Sequence, residues 1–121
     1  MSQLPELTKE IFEEIKNTEG FYIIDFWAVW CGPCKVMTPI FEKLAEDKDI
    51  EGVTFYGLNV DEQPEATEVF GVSAIPTFFL IKMKGDGTFD FQTDVVDKFV
   101  GTQTAFDFKL GIQAALKKSK A

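Results

Sequence analysis

The chain has 121 residues and a mass of 13.6 kDa, enough for one compact domain and too little for two ordinary ones. An apolar content of 45% with 13 phenylalanines excludes a disordered or collagen-like chain, and a domain of this size folds without a metal or a disulfide. Twenty acidic residues oppose 12 lysines, and the net charge of −8 argues against nucleic acid and anionic membranes as partners.

The chain carries no internal repeat or linker, so residues 1–121 read as a single unit. Thr8 is placed to cap a first helix that has Glu10 in its first turn and an apolar stripe of Ile11, Phe12 and Ile15. Gly20 breaks it. Residues 21–30 are apolar nearly throughout, as expected of a central strand covered on both faces. In residues 34–47, Met37, Ile40, Phe41, Leu44 and Ala45 recur at helical spacing, with Pro39 expected to kink the helix. A second buried strand is predicted over 53–60, a short helix over 65–70 and a third strand over 77–81. Gly85 and Gly87 mark a turn over 84–88, and the alternation of Phe89, Phe91, Thr93 and Val95 with polar residues predicts a half-buried strand. The last helix is predicted over 104–118, with Phe108, Ile112, Ala115 and Leu116 on its apolar face and lysines at its C-terminal end. The order α-β-α-β-α-β-β-α predicts a mixed sheet between layers of helices.

Chemistry concentrates in Trp30-Cys31-Gly32-Pro33-Cys34-Lys35, where a buried strand gives way to a helix. Two intervening residues let the sulfurs meet across one helical turn, and the unpaired N–H groups at a helix start stabilise a Cys31 thiolate. Cys34, one turn further in, is expected to be more buried. Zinc needs four ligands, and the chain has no histidine and no third cysteine, so a zinc site would have to be shared between chains. Two inert core thiols fit poorly with a helix-start location. Asp25 is a lone carboxylate in an apolar strand, where burial disfavours its charged form; the alternative is a hydrogen-bonded structural group. The N-terminal Met-Ser-Gln-Leu-Pro-Glu has neither a basic region nor an apolar core, and the longest uncharged stretch, residues 69–81, is too short to span a bilayer. A cytoplasmic protein is the expectation.

Asp25-Phe26-Trp27-Ala28-Val29-Trp30-Cys31-Gly32-Pro33-Cys34-Lys35 resembles the active-site segment of the thioredoxin family. The resemblance extends to Pro39, Leu58-Asn59-Val60-Asp61, Ile75-Pro76-Thr77 and Val100-Gly101, and so covers nearly the whole chain. It implies the thioredoxin fold, an α/β architecture with a central mixed sheet flanked by helices in three layers. It also implies reduction of protein disulfides, with no metal and no bound cofactor. By the same resemblance Cys31 is the attacking nucleophile, Cys34 the resolving thiol and Asp25 the base that takes the Cys34 proton. Pro33 between the cysteines favours a reductant over an oxidant. Trp30, Gly32, Pro33, Ile75, a cis Pro76 and Gly101 would form the surface on which an extended substrate docks, with the Ile75 backbone pairing to it.

The implied partners are disulfide-containing proteins and a thioredoxin reductase, and a monomer is the simplest state. A disulfide oxidase or isomerase is one competing function, and a scaffold that docks partners only when reduced is another. Three departures from the family pattern bear on these expectations. Many relatives carry Lys where this chain has Gly57, so the Asp25 shift is expected to come mainly from desolvation. The path from Pro76 to Gly101 is longer than usual, predicting a lengthened hairpin over 82–98 with Phe89 and Phe91 covering apolar surface. Pro5 leaves residues 2–7 little room for the family's N-terminal strand.

Overall fold

Five consecutive residues, Tyr22 to Phe26, are buried on the strand β1 (Gly20–Trp27), so both of its faces must be covered. The computed structural model describes residues 4–120, and in it β1 is an interior strand of a four-stranded sheet ordered β2-β1-β3-β4. Met1, Ser2, Gln3 and Ala121 lie outside the described residues. β2 (Val53–Asn59) runs parallel to β1, whereas β3 (Thr77–Met83) pairs with it antiparallel and with β4 (Val95–Val100) on its outer side. The mixed sheet between helices agrees with the expected architecture.

One face packs on α2 (Gly32–Ala45) and α5 (Ala105–Lys120), the other on α1 (Lys9–Ile15) and α3 (Pro64–Val69). Side chains alternate across a strand, so Ile23, Phe78 and Leu80 join Met37, Phe41, Phe108 and Ile112, while Ile24, Phe26, Phe79 and Ile81 join Leu7, Ile15 and Phe70. Phe41 is central to the first layer, its ring 4.9 Å from that of Phe55 and 5.4 Å from that of Phe78. Thr8 caps α1 by accepting the Ile11 N–H at 3.2 Å, as its position predicts. Thr104 does the same for α5, accepting from the Asp107 N–H at 3.1 Å. Pro39 lies inside α2, so the Lys35 carbonyl receives no helical N–H from it. Of the segment expected over 2–7, the described residues 4–7 form one parallel bridge, between Glu6 and Gly57, with Gly57 N–H donating to the Pro5 carbonyl at 3.0 Å and Leu7 N–H to the Gly57 carbonyl at 2.7 Å.

The strand expected over 89–95 is absent. Residues Phe91–Asp94 form instead one helical turn, α4, and the edge strand begins only at Val95. Aspartates satisfy the local backbone in place of a ladder: Asp90 accepts from Gln92 N–H, and Asp94 accepts from Asp90 N–H, both at 2.9 Å. Asp94 also pairs with Lys84 across the base of the loop. Phe89 and Phe91 both pack on Phe70, with ring centroids at 5.7 and 5.5 Å, so their alternation reports a shared aromatic contact rather than a pleat. Gly85 and Gly87 turn the chain with φ of +82° and +85°, as the sequence predicts. The remaining strands and helices fall within a few residues of expectation.

Truncating Phe41 to Ala removes the ring that joins α2 to the sheet, and should lower the unfolding free energy by about 3–5 kcal/mol. Urea denaturation measures this; a loss below ~1 kcal/mol would mean that the layer closes around the gap.

Candidate active site

β1 ends at Trp27 and α2 begins at Gly32, so four residues carry the chain from the middle of the sheet to the top of a helix. Cys31 N–H donates to the Ala28 carbonyl at 3.2 Å, tightening this turn. Cys31 is itself the N-cap of α2, and its Sγ accepts the Cys34 N–H at 3.1 Å, the role an oxygen usually fills. Pro33 sits in the first helical turn, where its missing N–H interrupts no helical bond. Cys31 and Cys34 are joined in a disulfide with Cα atoms 5.3 Å apart. When the bond is reduced, the same N–H and the helix dipole favour a thiolate on Cys31.

The two cysteines are covered almost equally, at 4% and 2% exposure, so the expected difference in burial between them is small. Around them the surface is open: Trp30 is 68% exposed, and Gly32 and Pro33 are exposed as well. The Ile75–Pro76 peptide is cis, and the Ile75 carbonyl oxygen lies 3.7 Å from Cys31 Sγ. Gly101 N–H donates to the Pro76 carbonyl at 2.9 Å, and its φ of +85° explains a glycine at this point. Cys31, Cys34, Ile75, Pro76 and Gly101 thus converge at one end of the sheet, with exposed Trp30, Gly32 and Pro33 at the same turn.

Asp25 lies on the α2 face of the sheet, since its neighbour at i−2, Ile23, and its register partner Phe78 both pack in that layer. It is 2% exposed, and its Oδ1 has no hydrogen-bond partner among the described residues. Burial pushes its pKa up to about 7, and the negative charge of Glu6 adds to the effect. Desolvation is therefore the main cause, as the sequence led us to expect.

Two residues of the site were not singled out from the sequence. Asp61 accepts the Trp30 indole N–H at 2.8 Å and is itself held by its N–H to Asn59 Oδ1 at 2.9 Å. An acid just past the end of β2 was the available signal, because parallel β1 and β2 end at the same edge. Glu6 accepts the Trp27 indole N–H at 3.0 Å and the Asn59 backbone N–H at 2.9 Å, contacts 21 and 53 residues away that no local pattern announces.

Residues 3–110 match the sequence model of the thioredoxin family. The chain belongs to the thioredoxin family. It is 45% identical over 76 residues to the thioredoxin of Alicyclobacillus acidocaldarius, a match covering 63% of this chain and 71% of that protein. A match to a Streptomyces coelicolor relative, 42% identical over 82 residues, covers 68% of this chain and 60% of that protein, less than two thirds of its length. Among solved structures, oxidised mitochondrial thioredoxin 3 of Saccharomyces cerevisiae superposes with a TM-score of 0.72 at 31% identity, covering 92% of this chain and 94% of that one. Family and cysteine pair together support a disulfide oxidoreductase. No helix among the described residues is long and apolar enough to cross a membrane.

The folded state keeps the Asp25 proton between about pH 4 and about pH 7, a range in which the unfolded chain has lost it. Stability should therefore fall as pH rises through that window and level off above it. Asp25→Asn removes the penalty, raising the unfolding free energy at pH 8 by on the order of 4 kcal/mol or less while changing it little at pH 3.5. Urea midpoints at the two pH values check this; an equal change at both would contradict it.

Proposed function

We propose that the chain is a dithiol reductant of protein disulfides. The observation that carries this reading is a helix-capping sulfur beside an exposed rim: Cys31 accepts the Cys34 N–H and lies against the Ile75 carbonyl, while Trp30, Gly32 and Pro33 face solvent. The Cys31 thiolate attacks one sulfur of a substrate disulfide, forming a mixed disulfide and releasing the other substrate sulfur as a thiolate. The Cys34 sulfur then attacks Cys31, its proton passes to the Asp25 carboxylate, and the second substrate thiolate leaves. Two electrons have moved from the dithiol to the substrate, and the Cys31–Cys34 disulfide remains.

Docking in this reading uses Trp30, Gly32, Pro33, Ile75, Pro76 and Gly101, with an extended substrate segment pairing to the Ile75 backbone as an added strand. A thioredoxin reductase restores the dithiol, and the protein acts as a monomer in the cytoplasm. The chain serves as one domain, its 82–98 hairpin an extension apart from the chemistry.

The test is a pair of substitutions. Cys34→Ser should abolish multiple turnover on a protein disulfide and trap the substrate covalently on Cys31, seen as an added mass that dithiothreitol removes. Cys31→Ser should neither turn over nor trap. Full partner regulation by Cys34→Ser with no covalent adduct would leave only a docking module and overturn the reading.

A further inference from the structure

Gly57 is the register partner of Asp25 on one side and the bridge partner of Glu6 on the other. Residues opposite one another on adjacent strands direct their side chains to the same face, so Glu6, Gly57 and Asp25 form a row across the sheet with a gap at its centre. Glu6 leans into that gap: a Cβ on Gly57 would overlap Glu6 Oε2 and approach the Trp27 indole nitrogen to 3.1 Å. The Glu6 carboxylate is fixed there by the Trp27 indole and the Asn59 amide, both neutral donors, and no ion pair to it forms among the described residues.

We propose that Glu6 is a positioning residue for the buried acid of the site: seated over Gly57, the register partner of Asp25, its carboxylate strengthens the hold of Asp25 on its proton. The inference rests on the reading that Asp25 takes up the Cys34 proton. Like-charge repulsion disfavours ionising Asp25 while Glu6 is already ionised, which makes Asp25 a stronger base once it has lost its proton. The raised pKa of Asp25 has desolvation as its larger cause and Glu6 as its second, in keeping with this geometry. Burial also raises the pKa of Glu6, and Glu62 after β2 adds repulsion there. Phe78, the register partner of Asp25 on β3, does not titrate, and neither does Cys34 while its disulfide holds. Two carboxylates in one row repel each other when both are charged, so they titrate as a coupled pair.

Glu6→Gln retains the side-chain shape and one of the two acceptor bonds but removes the charge. Following the Asp25 carboxyl carbon by NMR across pH 4–10, the midpoint should fall by ~0.5 or more in the variant. An unchanged midpoint in a folded variant overturns the proposal, since hydrogen bonding alone would leave it there. Should the variant fail to fold, the unsubstituted protein decides: the Asp25 signal should show a second, smaller inflection at the Glu6 midpoint, and a single smooth transition overturns it. The pH profile of turnover separates this inference from the proposed role of Asp25. A profile that moves with the Asp25 midpoint upholds both, whereas a profile that stays fixed while the midpoint moves upholds Glu6 and removes Asp25 as the proton acceptor.

Discussion

The backbone N–H of Cys34 points at the sulfur of Cys31 over 3.1 Å, and three elements have to agree for that bond to form. β1 must end early enough for residues 28–31 to climb out of the sheet, α2 must begin at Gly32, and Pro33 must fit a first turn that needs no donor. Each depends on packing elsewhere: α2 is held on the sheet by Met37 and Phe41, and β1 is fixed between β2 and β3. Rigid elements on both sides of a short turn are what hold a reactive sulfur in one place, against the Ile75 carbonyl and next in sequence to an exposed tryptophan. The Trp30–Asp61 and Gly101–Pro76 hydrogen bonds tie the neighbouring loops to the same frame.

Asp25 shows the opposite tendency, a group the fold would be more stable without. Its carboxyl lies under the sheet surface with one oxygen unpartnered among the described residues, in a layer otherwise built from Ile23, Phe55, Phe78 and Leu80. A polar group in that setting costs stability unless it is neutral or bonded, which is why burial holds the proton on it. Such local conflicts are expected where chemistry takes precedence over packing. Glu6 sharpens the conflict. The position over Gly57 is filled by a second carboxylate, and the two indole and amide donors that fix it are directed by Trp27 and Asn59, themselves register partners on β1 and β2.

The parts of the molecule legible in the sequence are those governed by local or periodic rules. Thr8 as a cap, the apolar run of β1, the i, i+3, i+4 pattern of α2 and the paired glycines of the 84–88 turn each carry a signal within a few residues. Cys31 and Cys34 were legible because spacing and a strand-to-helix change coincide there. Residues 89–95 were misread because Phe89 and Phe91 face a common partner, Phe70, through a helical turn that Asp90 and Asp94 hold by side-chain bonds. Alternation of period two cannot distinguish that arrangement from a pleat. Glu6 was invisible for another reason: the absence of a side chain at Gly57 was plain, but what fills the space comes from 51 positions earlier in the chain.

The direction in which the Cys31–Cys34 couple moves electrons separates a reductant from an isomerase or an oxidant. Equilibrating the protein against a dithiol buffer of known poise gives its reduction potential directly. A reductant of this family should lie at about −270 mV, the established value for thioredoxin. A potential between roughly −180 and −120 mV, where isomerases and oxidants lie, would contradict it.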